Sequence, residues 1–180
     1  LPQVALALAQ TQIKNSLNEE AMETLRPFES NQKGNADIFF SLSLLYQRLG
    51  QIETSAELLQ RSLKLRPNHC PSALNLGMYS LGAHLVEPAI RTLKSAMSLC
   101  AGKLRLQAAY GLGISYRRVK SWKQALKVFE ELINLHPSHI RARLQMASIL
   151  RDEFSEYLRA EMLYQEVLRL DPNNAAAYLG

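Results

Sequence analysis

The chain has 180 residues, 47% of them hydrophobic and 21% charged, which is enough apolar material to bury a core and too much for a disordered chain. Its formal charge is +5, but Lys and Arg alternate with Glu along most of its length, a pattern of solvated helix faces rather than a nucleic-acid stripe. Ala, Leu, Gln, Arg, Lys and Glu dominate, so the expected class is all-α.

The chain opens on "LPQVALALAQTQ", which is apolar but lacks the basic leader of a signal segment. No apolar run approaches the roughly 20 residues that span a bilayer. With no visible signal the expected setting tilts toward the cytoplasm, although two cysteines leave the redox compartment open. The first residue is not Met, so the natural N-terminus is expected upstream.

Further along, three turns answer one another: "LKLRPNH" (63–69), "INLHPSH" (133–139) and "LRLDPNN" (168–174). Their spacing implies units of about thirty-four residues, and the intervening unit closes on "MSLCAGK" (97–103), where Ala101 replaces the proline. Five units follow, at 2–35, 36–69, 70–103, 106–139 and 140–174, with the start of a sixth at 175–180. The seventh place of each holds Leu8, Leu42, Leu76, Leu112 or Met146. The eighth is always small: Ala9, Ser43, Gly77, Gly113 and Ala147. So is the twentieth: Ala21, Ser55, Ala89, Ala125 and Ala160. The twenty-fourth is always large: Leu25, Leu59, Leu93, Phe129 and Tyr164.

"LNLGMYS" (74–80), "YGLGISYRR" (110–118) with "WKQALKVFEELINLHP" (122–137), and "AEMLYQEVLRLDPNN" (160–174) carry a pattern that closely resembles the tetratricopeptide repeat. The resemblance covers essentially the whole chain. It implies a right-handed α-α superhelix, a solenoid of helix-turn-helix units, with one domain over 1–180. The residues agree, since each unit reads as two amphipathic helices joined by a short turn such as Gly50-Gln51 or Lys120-Ser121. The small eighth and twentieth places are expected to face each other where paired helices cross. No unit can bury its apolar face alone, so stability must come from stacking. The first unit departs from the pattern: Pro27 falls inside its second helix, which should end near Leu25 and leave "PFESNQKGN" as an irregular cap or hinge. Pro88 falls in a first turn, where proline is tolerated.

In the family, first helices line a concave groove that receives a peptide or helix from a partner. Its fifth and ninth places map onto Leu6, Gln10, Phe40, Leu44, Leu74, Met78, Tyr110, Ile114, Leu144 and Ser148. Eight of these ten are apolar or aromatic, an expected greasy stripe of the kind that marks partner sites. Asn75 and Gln145, at sixth places, flank it, as do Arg48, Arg117, Arg118, Arg141 and Arg151. The arginines thicken toward the C-terminal half, which suggests an acidic or carboxylate-bearing partner. The carboxylate clamp of chaperone-binding relatives is not expected: Phe40, Leu44, Gln107 and Gly111 stand where it needs Lys, Asn or Arg, and only Asn75 matches. An asparagine ladder that holds peptide backbones is largely absent too.

No catalytic motif is present: no phosphate loop, no Gly-x-Ser-x-Gly elbow, no His-Glu-x-x-His, no Cys-x-x-Cys. His69, Cys70, Cys100, His136 and His139 map to inter-repeat turns and are expected to be plain turn residues. Successive repeats lie a helix-packing distance of about 8–10 Å apart, too far for ligands to share one metal ion. A Cys70–Cys100 disulfide is not expected either, given the tight Cα limits on such bonds. No cofactor is implied, and paired acids such as Glu130-Glu131 read as solvated helix charge. The expected function is a protein–protein interaction scaffold, with the recognition arm of a larger enzyme, for example a glycosyl- or sulfotransferase, as the alternative. Nucleic-acid binding would need clustered basic residues interleaved with aromatics, and here they are dispersed.

The closing "AAAYLG" reads as the opening of a further first helix, so the natural protein is expected to continue. An uncapped face at Met162, Leu163 and Val167 would then be left partly bare, a possible route to self-association.

Overall fold

A computed structural model describes residues 2–29 and 35–179. Eleven α-helices are present among them: α1 (Pro2–Lys14), α2 (Asn18–Leu25), α3 (Ala36–Arg48), α4 (Ile52–Leu65), α5 (Cys70–Gly82), α6 (Val86–Leu99), α7 (Gly102–Arg118), α8 (Trp122–Leu135), α9 (Ile140–Phe154), α10 (Tyr157–Leu170) and α11 (Ala175–Tyr178). Successive helices pair as hairpins, and each hairpin packs on the next, so the chain forms a right-handed α-α superhelix without strands among the described residues.

Each hairpin turn contains one residue in the left-handed region: Ser16, Gly50, His84, Lys120 and Ser155. A left-handed residue after a helix lets the chain reverse while its amides reach back to the last carbonyls. Leu85 N–H, for example, donates to Ser80 O at 2.9 Å, and Ser121 N–H to Tyr116 O at 2.9 Å. Only Gly50 adopts this conformation without a Cβ penalty.

Two buried clusters run along the axis. Ala9, Ala21, Leu25, Phe39, Leu42 and Leu58 belong to the N-terminal one, and Leu93, Phe129, Leu132, Ile149 and Val167 to the larger one behind it. Within the hairpins, a Cβ added at Gly77 would stand 2.6 Å from Leu93 Cγ, and one added at Gly113 would stand 2.7 Å from Phe129 Cζ. The space over the eighth-place glycine is filled by the large twenty-fourth-place side chain, a knob entering the hole a missing Cβ leaves.

α2 ends at Leu25, and Arg26–Phe28 continue as one 3-10 turn with Pro27 inside it. Proline cannot supply the N–H that another α-helical turn would need. Of the irregular segment expected over 27–35, residues 30–34 lie outside the described residues. At the other end, Val167 is fully buried rather than bare, packed into the larger cluster with α11 beside α10. Met162 is exposed and Leu163 half-buried.

The disulfide expectation is also corrected. Cys70, the first residue of α5, and Cys100, which caps α6, have Cα atoms 5.2 Å apart and are bonded. The thirty-residue separation spans the whole hairpin, and a hairpin that folds back on itself brings its two ends together. Closing a loop of that size stabilises the fold by about 3–4 kcal/mol in the chain-entropy picture.

Candidate functional site

The first helices α3, α5, α7 and α9 carry most of the residues expected to face a partner. They do not form a uniformly open stripe. Leu74 is only 3% exposed and belongs to the larger core, so it is withdrawn as a contact residue. Close approach of α5 to α6 and α7 turns it inward. Phe40, Leu44, Tyr110, Ile114 and Leu144 are half-buried, and the last three pack against the core. Leu6 is half-buried against the N-terminal cluster, Gln10 is exposed and Ser148 half-buried. Met78 is the large apolar side chain that remains open on this face, at 43%.

Around Met78 the surface deepens into a recess of about 530 Å³. Met78, Leu106 and Tyr110 supply its apolar surface, while Lys103, Gln107 and Arg141 line it with polar and cationic groups. His136 and His139 complete it from the turn between α8 and α9. The Tyr110 and His139 rings lie 5.5 Å apart, and His136 and His139 meet edge-on at 6.1 Å. Gly111 has a specific part here, because a Cβ on it would come within 2.9 Å of Met78 Sδ. The bare backbone lets Met78 lie across α7.

His139 caps α9, its Nδ1 accepting from Ala142 N–H at 3.1 Å. That bond fixes the proton of the neutral ring on Nε2. Burial first, then His136, Arg141 and Arg143, push its pKa below the ordinary histidine value, with a backbone hydrogen bond opposing them.

The expected basic residues divide into two groups. Arg48 donates to Asn18 Oδ1 at 2.7 Å and to Ile13 O, Arg118 to Leu81 O, and Arg117 to Gln145 Oε1 and Ser148 Oγ. These guanidinium groups brace one hairpin against another through neutral acceptors, and the Arg117 charge also helps hold the Asp152 carboxyl below its usual range. Arg151 instead pairs with Asp152 at 2.7 Å. That hydrogen bond, helped by Ser148, holds the Asp152 carboxyl below its usual range against a desolvation penalty. Arg141 and Lys103 make no ion pair with any described residue. Asn75 spends a donor on Pro71 O at 2.8 Å, one turn back in its own helix.

His69 is more than a turn residue. It is 6% exposed, with Nε2 3.0 Å from Asp37 Oδ1 and Nδ1 2.7 Å from Ser72 Oγ. An Asp–His–Ser chain of this order is the skeleton of a hydrolytic triad. Here Ser72 and Ser62 are fully buried and bonded to each other at 2.7 Å, and Ser62 donates to Ala36 O. A nucleophile must be reachable from a substrate's side, so the arrangement is a clamp between the second and third hairpins.

Lys103, Leu106, Gln107, His136 and His139 were not among the residues expected to meet a partner. For Lys103, Leu106 and Gln107 one signal is that residues 104–105 fall between the units 70–103 and 106–139, inside a seventeen-residue α7.

Two tetratricopeptide repeat family models match, one over residues 36–69 and the other over residues 107–139. Those two stretches are tetratricopeptide repeats. Among curated proteins, this repeat protein is 25% identical over 172 residues to human "Protein O-mannosyl-transferase TMTC3" and 26% identical over 144 residues to "Anaphase-promoting complex subunit 7" of Arabidopsis thaliana. These matches take in 94% and 80% of the chain but only 18% and 25% of the relatives' length. Among solved structures, MamA from Desulfovibrio magneticus RS-1 superposes with a TM-score of 0.81 at 17% identity, covering 97% of each chain. The pilF protein of Pseudomonas aeruginosa gives 0.80 at 22% identity, covering 99% of this chain and 80% of that one. At these identities the structural likeness speaks to the tetratricopeptide fold alone. No helix among the described residues is long and apolar enough to cross a membrane.

Proposed function

We propose that the chain is a protein-interaction scaffold whose inner face takes a partner peptide, with one apolar or aromatic side chain anchored in the Met78–Tyr110 recess and acidic groups beside it. The recess carries this reading: an apolar floor next to Lys103 and Arg141, cations with no carboxylate partner among the described residues. A concave, mostly apolar pocket with a few convergent polar groups is the usual form of a binding site. The uncompensated cations favour a carboxylate through charge-assisted hydrogen bonds. Repeat units 2–35, 36–69, 70–103, 106–139 and 140–174 form the scaffold in this proposal, and contacts along α3, α7 and α9 would extend the groove to either side. The buried serines of the Asp37–His69–Ser72 clamp support binding rather than chemistry as the work of this segment.

The test replaces Phe40, Met78 and Tyr110 by Ser, singly and together, and follows partner capture alongside helical circular dichroism. Capture should fall while helicity holds. A collapse of helicity with no folded loss of capture would assign these side chains to the core instead.

The match to a transferase over 94% of the chain favours a second reading, in which the same groove recognises substrate for a catalytic domain elsewhere in a longer protein. The full-length gene decides between the two, since the second reading needs a transferase domain in the same frame.

A further inference from the structure

We propose that the Cys70–Cys100 disulfide replaces the proline turn at the junction between α6 and α7, and that the chain therefore matures and works in an oxidising compartment. The other full-length junctions share one geometry. Arg66, His136 and Asp171 cap their helices at φ near −140° and ψ near 90° (−136°/89°, −142°/85° and −143°/92°), and each is followed by proline. Each turn is closed by a bond to the cap's carbonyl three residues back: His69 N to Arg66 O at 3.0 Å, His139 N to His136 O at 3.0 Å, and Asn174 N to Asp171 O at 3.1 Å.

At the α6–α7 junction all three features are missing together. Cys100 lies at φ −88° and ψ 158°, Ala101 stands in place of the proline, and no such bond closes the turn. Gly102, at φ +54°, starts α7 directly. In their place a covalent bond ties Cys100, itself 5% exposed, to the head of α5. The bond lies three residues before Lys103, and α5 carries Met78 on the facing side, so it also fixes two sides of the recess.

The chain has two cysteines and this bond uses both. Forming it removes two electrons and two protons from the two thiols. The acceptor is the disulfide of a thiol–disulfide oxidoreductase, which leaves as a dithiol. The reducing thiol pool of a cytosol runs that exchange backwards. A junction that relies on the bond is thus suited to a secretory lumen, a periplasm or the cell exterior, against the cytoplasmic setting the sequence suggested.

The experiment secretes the 180-residue chain through an oxidising compartment, alkylates it in denaturant without reductant and maps the peptides. It then follows amide hydrogen exchange with and without reductant. The bond should appear as one crosslinked peptide pair with neither cysteine alkylated. Reduction should raise exchange over residues 101–110 about tenfold and leave residues 140–150 unchanged. The double variant C70S/C100S should show the raised exchange whether or not reductant is present. Two alkylated cysteines in the secreted protein would overturn the proposal, as would identical exchange over 101–110 in the oxidised and reduced forms. Neither readout depends on what the groove binds.

Discussion

His69 Nε2 sits 3.0 Å from Asp37 Oδ1, joining the first turn of α3 to the start of α5 across the second hairpin. Arg66 holds the same carboxylate at 2.8 Å. Partial burial pushes the Asp37 carboxyl upward, but the bonds to Arg66 and His69 outweigh it and hold its pKa below the ordinary value. A carboxylate whose folded pKa is depressed adds stability above its unfolded pKa, about 3.9, and that contribution is lost as pH falls through the folded value. Stability measured by urea melts should therefore drop below about pH 4, and Asp37→Asn should be less stable at pH 7 but lose less between pH 5 and pH 3. His69→Ala should cost about 1–3 kcal/mol, because it removes one of the two hydrogen bonds of the buried Ser72 hydroxyl and one partner of Asp37. A wild-type stability for His69→Ala would remove the clamp from the account.

Gly113 is the hole that Phe129 fills. Gly113→Leu should overpack this contact and cost about 1–3 kcal/mol, read as a lower urea midpoint with the helical signal retained. Gly82, where an added Cβ meets nothing within 4 Å, is the control, and Gly82→Ala should stay close to wild type.

Lys120 and His84 hold the left-handed conformation at φ +57° and +59° with a Cβ present. Glycine removes a penalty of about 1–2 kcal/mol there and returns about 0.5–1 kcal/mol as unfolded-state entropy. Lys120→Gly and His84→Gly should thus match or slightly exceed wild type in thermal melts. Lys120→Val, a β-branched residue in the same conformation, should be clearly less stable.

His139 gives the chain a second pH dependence. Burial, the first cause, depresses its folded pKa, so between the folded value and the ordinary value of about 6.5 the unfolded state binds more protons. Stability should be full above that pH and fall as pH drops below it. His139→Asn keeps a side-chain acceptor for the α9 cap and has no proton to gain, so its stability should be flat from pH 7.5 to 5.5. A wild-type curve equally flat over that range would contradict the depressed pKa.

The fold was legible because its signals are local and repeated: small and large residues at fixed places, and prolines at the turns. Those features specify helix, turn and stacking directly. The recess was less legible because exposure depends on how one hairpin leans on the next. Leu74 and Met78 sit four residues apart on one helix face, yet one is core and the other open, a difference set by α6 and α7 and invisible in α5 alone. His69 and His139 look alike in their turns; the first is buried where Asp37 of α3 and Ser62 of α4 meet it from the second hairpin, with Ser72 three residues on in α5. The tight Cα limit of a disulfide argues against the Cys70–Cys100 pair in the sequence, whereas the pair closes a single hairpin whose ends lie 5.2 Å apart.

The most direct test of the binding proposal is selection of a random peptide library on the immobilised chain, with the Met78→Ser/Tyr110→Ser variant as counter-target. The account predicts enriched peptides that share an aromatic or large apolar residue beside Asp or Glu, and at least about fivefold weaker binding to the variant. It also predicts weaker binding to Lys103→Glu and Arg141→Glu. Enriched peptides without acidic residues that bind the variant as tightly as wild type would contradict it.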